Sequence, residues 1–440
     1  MSDSVVLAPT LSRSLALTLA FALALVAGFL LKMWLAGRQL RAVARGRSSV
    51  PFAFAERIPL AAHHKAADYT RAKLRFGMLE TAFGAAVVLG WTLLGGLDLL
   101  NHALLDWLGG GMAQQLALLA AFVLIGGLLD VPGTLYQTFV LEQRFGFNQL
   151  TPKLWLVDLL KSLAIGAAIG LPIAAAILWL MGSAGDIWWL WAWALWTGFN
   201  LLLMWVYPSF IAPLFNKFEA LNDEALAARV KALMQRCGFS AKGLFVMDGS
   251  RRSAHANAYF TGLGASKRVV FFDTLLRQLN ADEVEAVLAH ELGHFHHRHV
   301  LKRMVLMFAI SLAGFALLGW LSSQAWFYFG LGVQPNLAST LPGAVHIPGD
   351  ALALLLFLLA VPVFTVFLSP LFAHFSRSDE FQADAYAVAH TGPAHLAKAL
   401  LKLYQDNAST LTPDPLYVRF YYSHPPAVER LEHMQAGAAA

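Results

Sequence analysis

The sequence predicts an α-helical membrane protein that crosses the bilayer seven times and sets two hydrophilic regions on one side of it. Three observations carry that prediction. Of the 440 residues 58% are hydrophobic and only 13% charged, whereas soluble domains carry about a quarter charged residues. Seven apolar runs are long enough to cross ~30 Å of hydrocarbon. Lys and Arg gather in alternate loops, the asymmetry that orients membrane chains.

A short polar lead, residues 1–13, precedes the first span at 15–35. The following loop is strongly basic (Arg38, Arg41, Arg45, Arg47, Arg57, Lys65, Arg71, Lys73, Arg75), which places it in the cytoplasm and the N-terminus outside. The second span covers 81–100, and residues 101–111, without Lys or Arg, form an outside loop. In the third, Asp130 and Pro132 interrupt an apolar run between 116–129 and 136–140, which reads as one kinked helix. A polar cytoplasmic segment over 142–161 leads to the fourth span, 163–181, and the fifth, 187–210. Trp188, Trp189 and Trp191 in the fifth suit either a lipid interface or aromatic core packing.

Residues 216–303 are the long hydrophilic stretch between apolar runs, with an amphipathic helix over 224–234 and short strands at 243–246 and 269–272. The sixth and seventh spans cover 304–329 and 351–372, joined by a loop without Lys or Arg. A second hydrophilic region, 374–435, ends in a tail with nothing to pack. The expected organisation is thus five spans in 1–210, a hydrophilic region in 211–303, two spans in 304–373 and a C-terminal region in 374–440. Counted alternately, both hydrophilic regions fall on the cytoplasmic face. The one cysteine, Cys237, excludes an internal disulfide and a Cys-rich zinc site, so metal ligands must be His and carboxylate. No cleavable signal is convincing. The net charge of +5 flanks apolar runs, which argues for a bilayer and against nucleic acid. The Ala/Leu/Gly-rich composition and short loops point to a bacterial inner membrane.

The chemistry-bearing stretch is residues 281–300, ADEVEAVLAHELGHFHHRHV. His290-Glu291-Leu292-Gly293-His294 fits H-E-x-x-H. On a helix, residues four apart share a face, so two imidazoles reach one Zn²⁺. Glu291, one residue round, can take a proton from water there without ligating the metal. Asn280 can cap this helix with Glu283 completing a capping box, and Val284, Val287, Leu288 and Leu292 give it an apolar face. The competing reading is a helix carrying satisfied surface histidines, which His296, His297 and His299 partly encourage; these three read as solvated or interfacial, not as ligands. A three-histidine set H-E-x-x-H-x-x-G-x-x-H is excluded, since His297 and Val300 hold its last two defined positions.

Just after the seventh span, Ser376–Asp384 reads SRSDEFQAD, and Glu380 and Asp384 again lie four apart. Glu380 is the candidate third ligand. Asp384, one turn on, can accept the free N–H of a metal-bound imidazole. An exposed acidic helix face is the alternative.

Along most of its length the chain resembles the integral-membrane zinc CAAX prenyl endopeptidases. The resemblance rests on residues 253–276 (SAHANAYFTGLGASKRVVFFDTLL), the HELGH helix, 376–387 (SRSDEFQADAYA) and 422–430 (YSHPPAVER), with 133–151 similar to the loop after the third span. It implies seven helices around an intramembrane chamber, closed by a cytoplasmic gluzincin-like zinc metalloprotease domain. It implies one Zn²⁺ per chain held by His290, His294 and Glu380, with Glu291 as general base. Asn257, Ala258 and Tyr259 become a strand edge pairing with the substrate backbone. His424 becomes the histidine that faces the metal and steadies an oxyanion, and Arg430 a site residue that either touches substrate or orients a neighbour. The implied partner is a peptide or protein C-terminus, prenylated or not. Two other readings stay open: a broader quality-control protease of the membrane, and a transporter or scaffold with a structural zinc.

Overall fold

A computed structural model describes residues 2–241, 243–261, 268–336 and 349–439. Among these are seven helices long and apolar enough to span a membrane: Thr10–Gly46, Leu60–Trp91, Met112–Phe145, Pro152–Ser183, Gly185–Phe215, His299–Leu321 and Asp350–Thr391.

Several of them differ in extent from the sequence expectation. The first helix continues to Gly46 and the second begins at Leu60, so most of the expected basic loop is helical. Charge does not stop a helix, because Arg and Lys are good helix formers. The break comes where Pro51 and Pro59 bracket residues 51–59. Arg38 on the first helix pairs with Asp414 at 3.0 Å, tying this extension to the C-terminal region. The second span ends at Trp91, before the expected Leu100. Gly95, with φ 79°, turns the chain into a separate helix, Gly96–Leu108. Two neighbouring glycines make that left-handed turn cheap. Likewise the sixth span ends at Leu321, and Ala325–Gly330 forms a short helix of its own. Pro132 lies inside the third helix, whose end passes into a π-helical segment, Gln137–Glu142. The C-terminal region ends in a helix, Ala427–Ala439.

Among its described residues the hydrophilic region holds four strands: β1 Phe218–Ala220, β2 Gly243–Met247, β3 Ala258–Thr261 and β4 Arg268–Phe272, in the spatial order β1-β2-β4-β3. β2 and β4 run parallel, while the outer pairs are antiparallel. β4 is an unbroken apolar run with Val269, Val270 and Phe271 all buried, as a central strand covered on both faces should be. β1 and β3 escape the sequence pattern because three or four residues are too few to show alternation. The core under this sheet joins Phe271 and Leu275 to Val284, Leu288 and Leu292 of the helix Ala281–His296.

Only 6 % of the most apolar window is buried within the protein in each of the second to fifth spans. A helix with lipid on one face and packed protein on the other would bury far more. Three cavities, of ≈ 1070, ≈ 700 and ≈ 490 Å³, lie against the first, second, fifth and seventh spans, the first adjoining each of the other two. The first and second share Ser423 and His424, and the first and third share Lys32, Gly77 and Thr81. The expected chamber is thus a connected series of cavities bounded by the spans and by the sheet region.

Candidate metal centre

The helix Ala281–His296 opens on the capping box that its sequence predicts. The backbone N–H of Glu283 donates to Asn280 Oδ1 at 3.0 Å, and that of Asn280 to Glu283 Oε2 at 2.9 Å. Its apolar face binds the core, and the opposite turn carries His290, Glu291 and His294. Gly293, inside the motif, sets how closely the ligand-bearing helix Ser369–Thr391 can approach. A Cβ at this position would meet Ala383 Cα at 2.9 Å. Substituting Ala in a helix interior ordinarily gains about 1 kcal/mol over Gly. Here Gly293→Ala is expected to cost about 1–3 kcal/mol, because backbone must move. The sign is read from a lower melting temperature.

That close approach brings three donors together. His290 Nε2 lies 3.3 Å from His294 Nε2 and 3.3 Å from Glu380 Oε2, and His294 Nε2 lies 3.4 Å from Glu380 Oε1. Donors ~2.0–2.1 Å from a tetrahedral ion stand ~3.3–3.4 Å apart, so the triangle has the edge length of a zinc site. Glu380 Oε2 is buried without a hydrogen-bond partner, the orphan oxygen that a cation would satisfy. The residues present therefore fit a metal ion.

The surroundings fit as well. His290 Nδ1 donates to Asp384 Oδ1 at 2.8 Å, which fixes the tautomer and aims Nε2 at the other donors. Asp384 is in turn held by Arg430, which donates from Nε at 2.8 Å and from Nη2 at 2.6 Å. Burial lowers the His290 imidazole, but the neighbouring carboxylates of Asp384 and Glu380 outweigh it and push it up to about 9. Arg430 neutralises Asp384; Glu380 and Glu291 supply the two further negative charges that a divalent cation would balance.

Glu291, His294, Glu380 and His424 all line the ≈ 700 Å³ cavity, with Tyr259 and Phe260 of β3 on its wall. Burial raises the Glu291 carboxyl, the neighbouring imidazoles oppose this, and the charge of Glu380 adds to it. A carboxyl so raised exchanges protons nearer neutral pH than a free one does. His424 Nε2 lies 3.4 Å from Glu380 Oε1, on the open side of the triangle. Asn257 precedes β3, its Oδ1 accepting from the Ala258 N–H at 2.8 Å, and its carbonyl accepts from Phe272 N–H at 3.0 Å. β3 is the edge of the sheet: β4 pairs with one side, and among the described residues no strand pairs with the other.

The chain as a whole resembles known proteins. Residues 39–217 match the family described as CAAX prenyl protease N-terminal, five membrane helices, and residues 220–438 match peptidase family M48. The chain is 33% identical over 430 residues to CAAX prenyl protease 1 of Saccharomyces cerevisiae, covering 92% of each. It is 31% identical over 364 residues to the Homo sapiens homolog, covering 74% of each. The CAAX prenyl protease 1 family includes this chain. The crystal structure of S. mikatae Ste24p superposes with a TM-score of 0.88 at 32% identity, covering 95% of this chain and 99% of that one. As a member of the M48 metalloproteases the protein is a membrane-embedded hydrolase with seven apolar helices, and the transporter and scaffold readings fall away.

Two further residues lie against this site without a sequence signal that marks them. His299, expected to be solvated or interfacial, is 1 % exposed, and its Nδ1 lies 3.0 Å from His294 Nδ1. Its Nε2 lies 3.3 Å from Gln382 Oε1 and 3.5 Å from Asp379 Oδ1. On a continuous helix a residue five positions on points about 140° away. Arg298, in the left-handed region at φ 57°, breaks the helix and folds His299 back under His294. No glycine marks that turn, so no sequence signal announces it. His299→Ala is expected to weaken metal binding about 10–100-fold, measured by chelator competition. Arg377 was missed too; its Nη1 donates to the carbonyls of Val418 and Tyr422 at 3.0 and 2.8 Å, fixing the turn that presents His424. Arg430, expected either to touch substrate or to orient a neighbour, is 5 % exposed and paired with Asp384, a geometry that suits the second.

Proposed function

We propose that the protein is a zinc metalloendopeptidase that releases the residues C-terminal to a prenylated cysteine, with one Zn²⁺ per chain on His290, His294 and Glu380. The observation that carries this is the ligand triangle facing, in one cavity, a carboxylate, a second imidazole and a free strand edge. Bound there, zinc supplies Lewis acidity toward water and toward a peptide carbonyl. Glu291 takes the proton of the attacking water and delivers it to the departing amine. His424 donates a hydrogen bond to the oxygen on which negative charge develops. Asp384 and Arg430 hold His290 in register, and β3 binds an extended substrate through main-chain hydrogen bonds that tolerate varied side chains.

Prenylated C-termini are the substrate class because the matched relatives are named for them. The basic residues of the first two helices lie toward the same end of the spans as the metal site, which supports a cytoplasmic active site and an outside N-terminus. The short loops and composition support a bacterial inner membrane. The residue groups 1–210, 211–303, 304–373 and 374–440 remain the working division, although 373 and 374 fall within one helix. The test is mass spectrometry of products from a farnesylated peptide and its unmodified counterpart, with and without a chelator. Cleavage after the modified cysteine that stops with chelator and returns with Zn²⁺ supports the proposal. Equal cleavage of both peptides would point instead to a broader membrane protease, and chelator-resistant cleavage would remove the metal from the reaction.

A further inference from the structure

The third cavity, ≈ 490 Å³, lies deepest among the spans and holds none of the reacting groups. Its walls come from the first, second and seventh spans. At the end shared with the largest cavity stand Lys32, Gly77 and Thr81, with Glu80 beside them. Beyond them the lining turns apolar, with Leu25 and Phe29 on the first span, Ala85 and Val88 on the second, and Leu359 and Val363 on the seventh. Glycine makes this room. A Cβ on Gly77 or Gly84 would meet nothing within 4 Å.

We infer that this bay receives the hydrocarbon chain of the lipid on the substrate cysteine, an isoprenoid; the inference rests on the function proposed above. Past the polar end of Lys32, Glu80 and Thr81, the apolar part of the bay rejects peptide, whose backbone N–H and C=O groups would find no partners there. Water is equally ill-served in that part, since an ordered water needs two to four polar neighbours. A chain without polar atoms meets neither penalty. The volume falls in the ~300–1,000 Å³ range of cavities that enclose a small ligand. Continuity selects the occupant. The bay joins the largest cavity at Lys32 and Thr81, and that cavity reaches His424 beside the metal ligands. A lipid on the residue that supplies the scissile carbonyl can therefore lie in the bay while the peptide pairs with β3. On this reading the protein selects substrates partly by a hydrocarbon slot inside its own membrane domain.

The test fills the bay from a position with space. Gly84→Phe, with Ala85→Phe as a second variant, is compared with Leu23→Phe, whose parent side chain is 69 % exposed on the first span. Two readouts are taken for a farnesylated peptide and its unmodified counterpart. One is kcat/KM; the other is the Kd of fluorescent peptide on zinc-loaded protein in a Glu291→Gln background, which needs no turnover. The ratio of farnesylated to unmodified peptide is expected to fall about tenfold or more in both bay variants, the scale on which a filled apolar pocket discriminates. Leu23→Phe leaves the ratio unchanged. An unaltered ratio in correctly folded bay variants, or the same fall in Leu23→Phe, overturns the inference. Should the unsubstituted protein cleave neither peptide, the proposed function fails by itself, and the Kd ratio still decides the bay.

Discussion

Glu291→Gln is expected to retain one zinc per chain and to lose peptidase activity by about 10²–10⁴-fold or more, the contribution of a positioned general base. The substitution keeps the size and shape of the side chain and removes only its capacity to accept and return a proton. Glu291 is not one of the three converging donors, so metal content should not change. Elemental analysis beside a peptide-cleavage assay separates the two effects. A zinc-loaded Gln variant that turns over at the normal rate would refute the role given to Glu291.

Glu380→Ala should act the other way round, emptying the site before any question of chemistry arises. This carboxylate is 3 % exposed, supplies one vertex of the triangle and stands 3.4 Å from His424. Its loss leaves two imidazoles as donors. Because losing even an outer partner costs 10–100-fold in metal affinity, loss of a ligand should exceed about 100-fold. Zinc measured after gel filtration against a chelator should approach zero while helical content stays normal. Unchanged stoichiometry would remove Glu380 from the ligand set.

Both predictions rest on residues that were visible in the chain, and the manner of their visibility differs. HELGH declares itself because helical spacing alone puts two imidazoles on one face, and Asn280 with Glu283 fixes where the helix starts. Glu380 and Asp384 were legible only as a pair with the right spacing directly after a span. Nothing local tells such a pair from an exposed acidic face. Residues about 90 positions away along the sequence had to fold onto the helix first, and Gly293 against the Ala383 backbone is the contact that permits it. The spans were found from hydropathy, but their ends were not. Arg38, Arg41 and Arg45 extend the first helix past the apolar run, and glycine at position 95 closes the second early.

By itself, then, the sequence determined what is encoded by periodicity and composition: seven apolar spans, a capped helix carrying two imidazoles and a carboxylate base, and ligands limited to His and carboxylate by a single cysteine. Only the tertiary structure decided that β3 has no strand on its outer side among the described residues, that Arg430 is spent on Asp384, that His299 lies against His294, and that the spans enclose a largely apolar bay. The physical reason is range. Helical period and hydropathy are written within a few turns of chain, whereas a strand edge, a buried ion pair or a cavity depends on what distant segments do or do not place alongside.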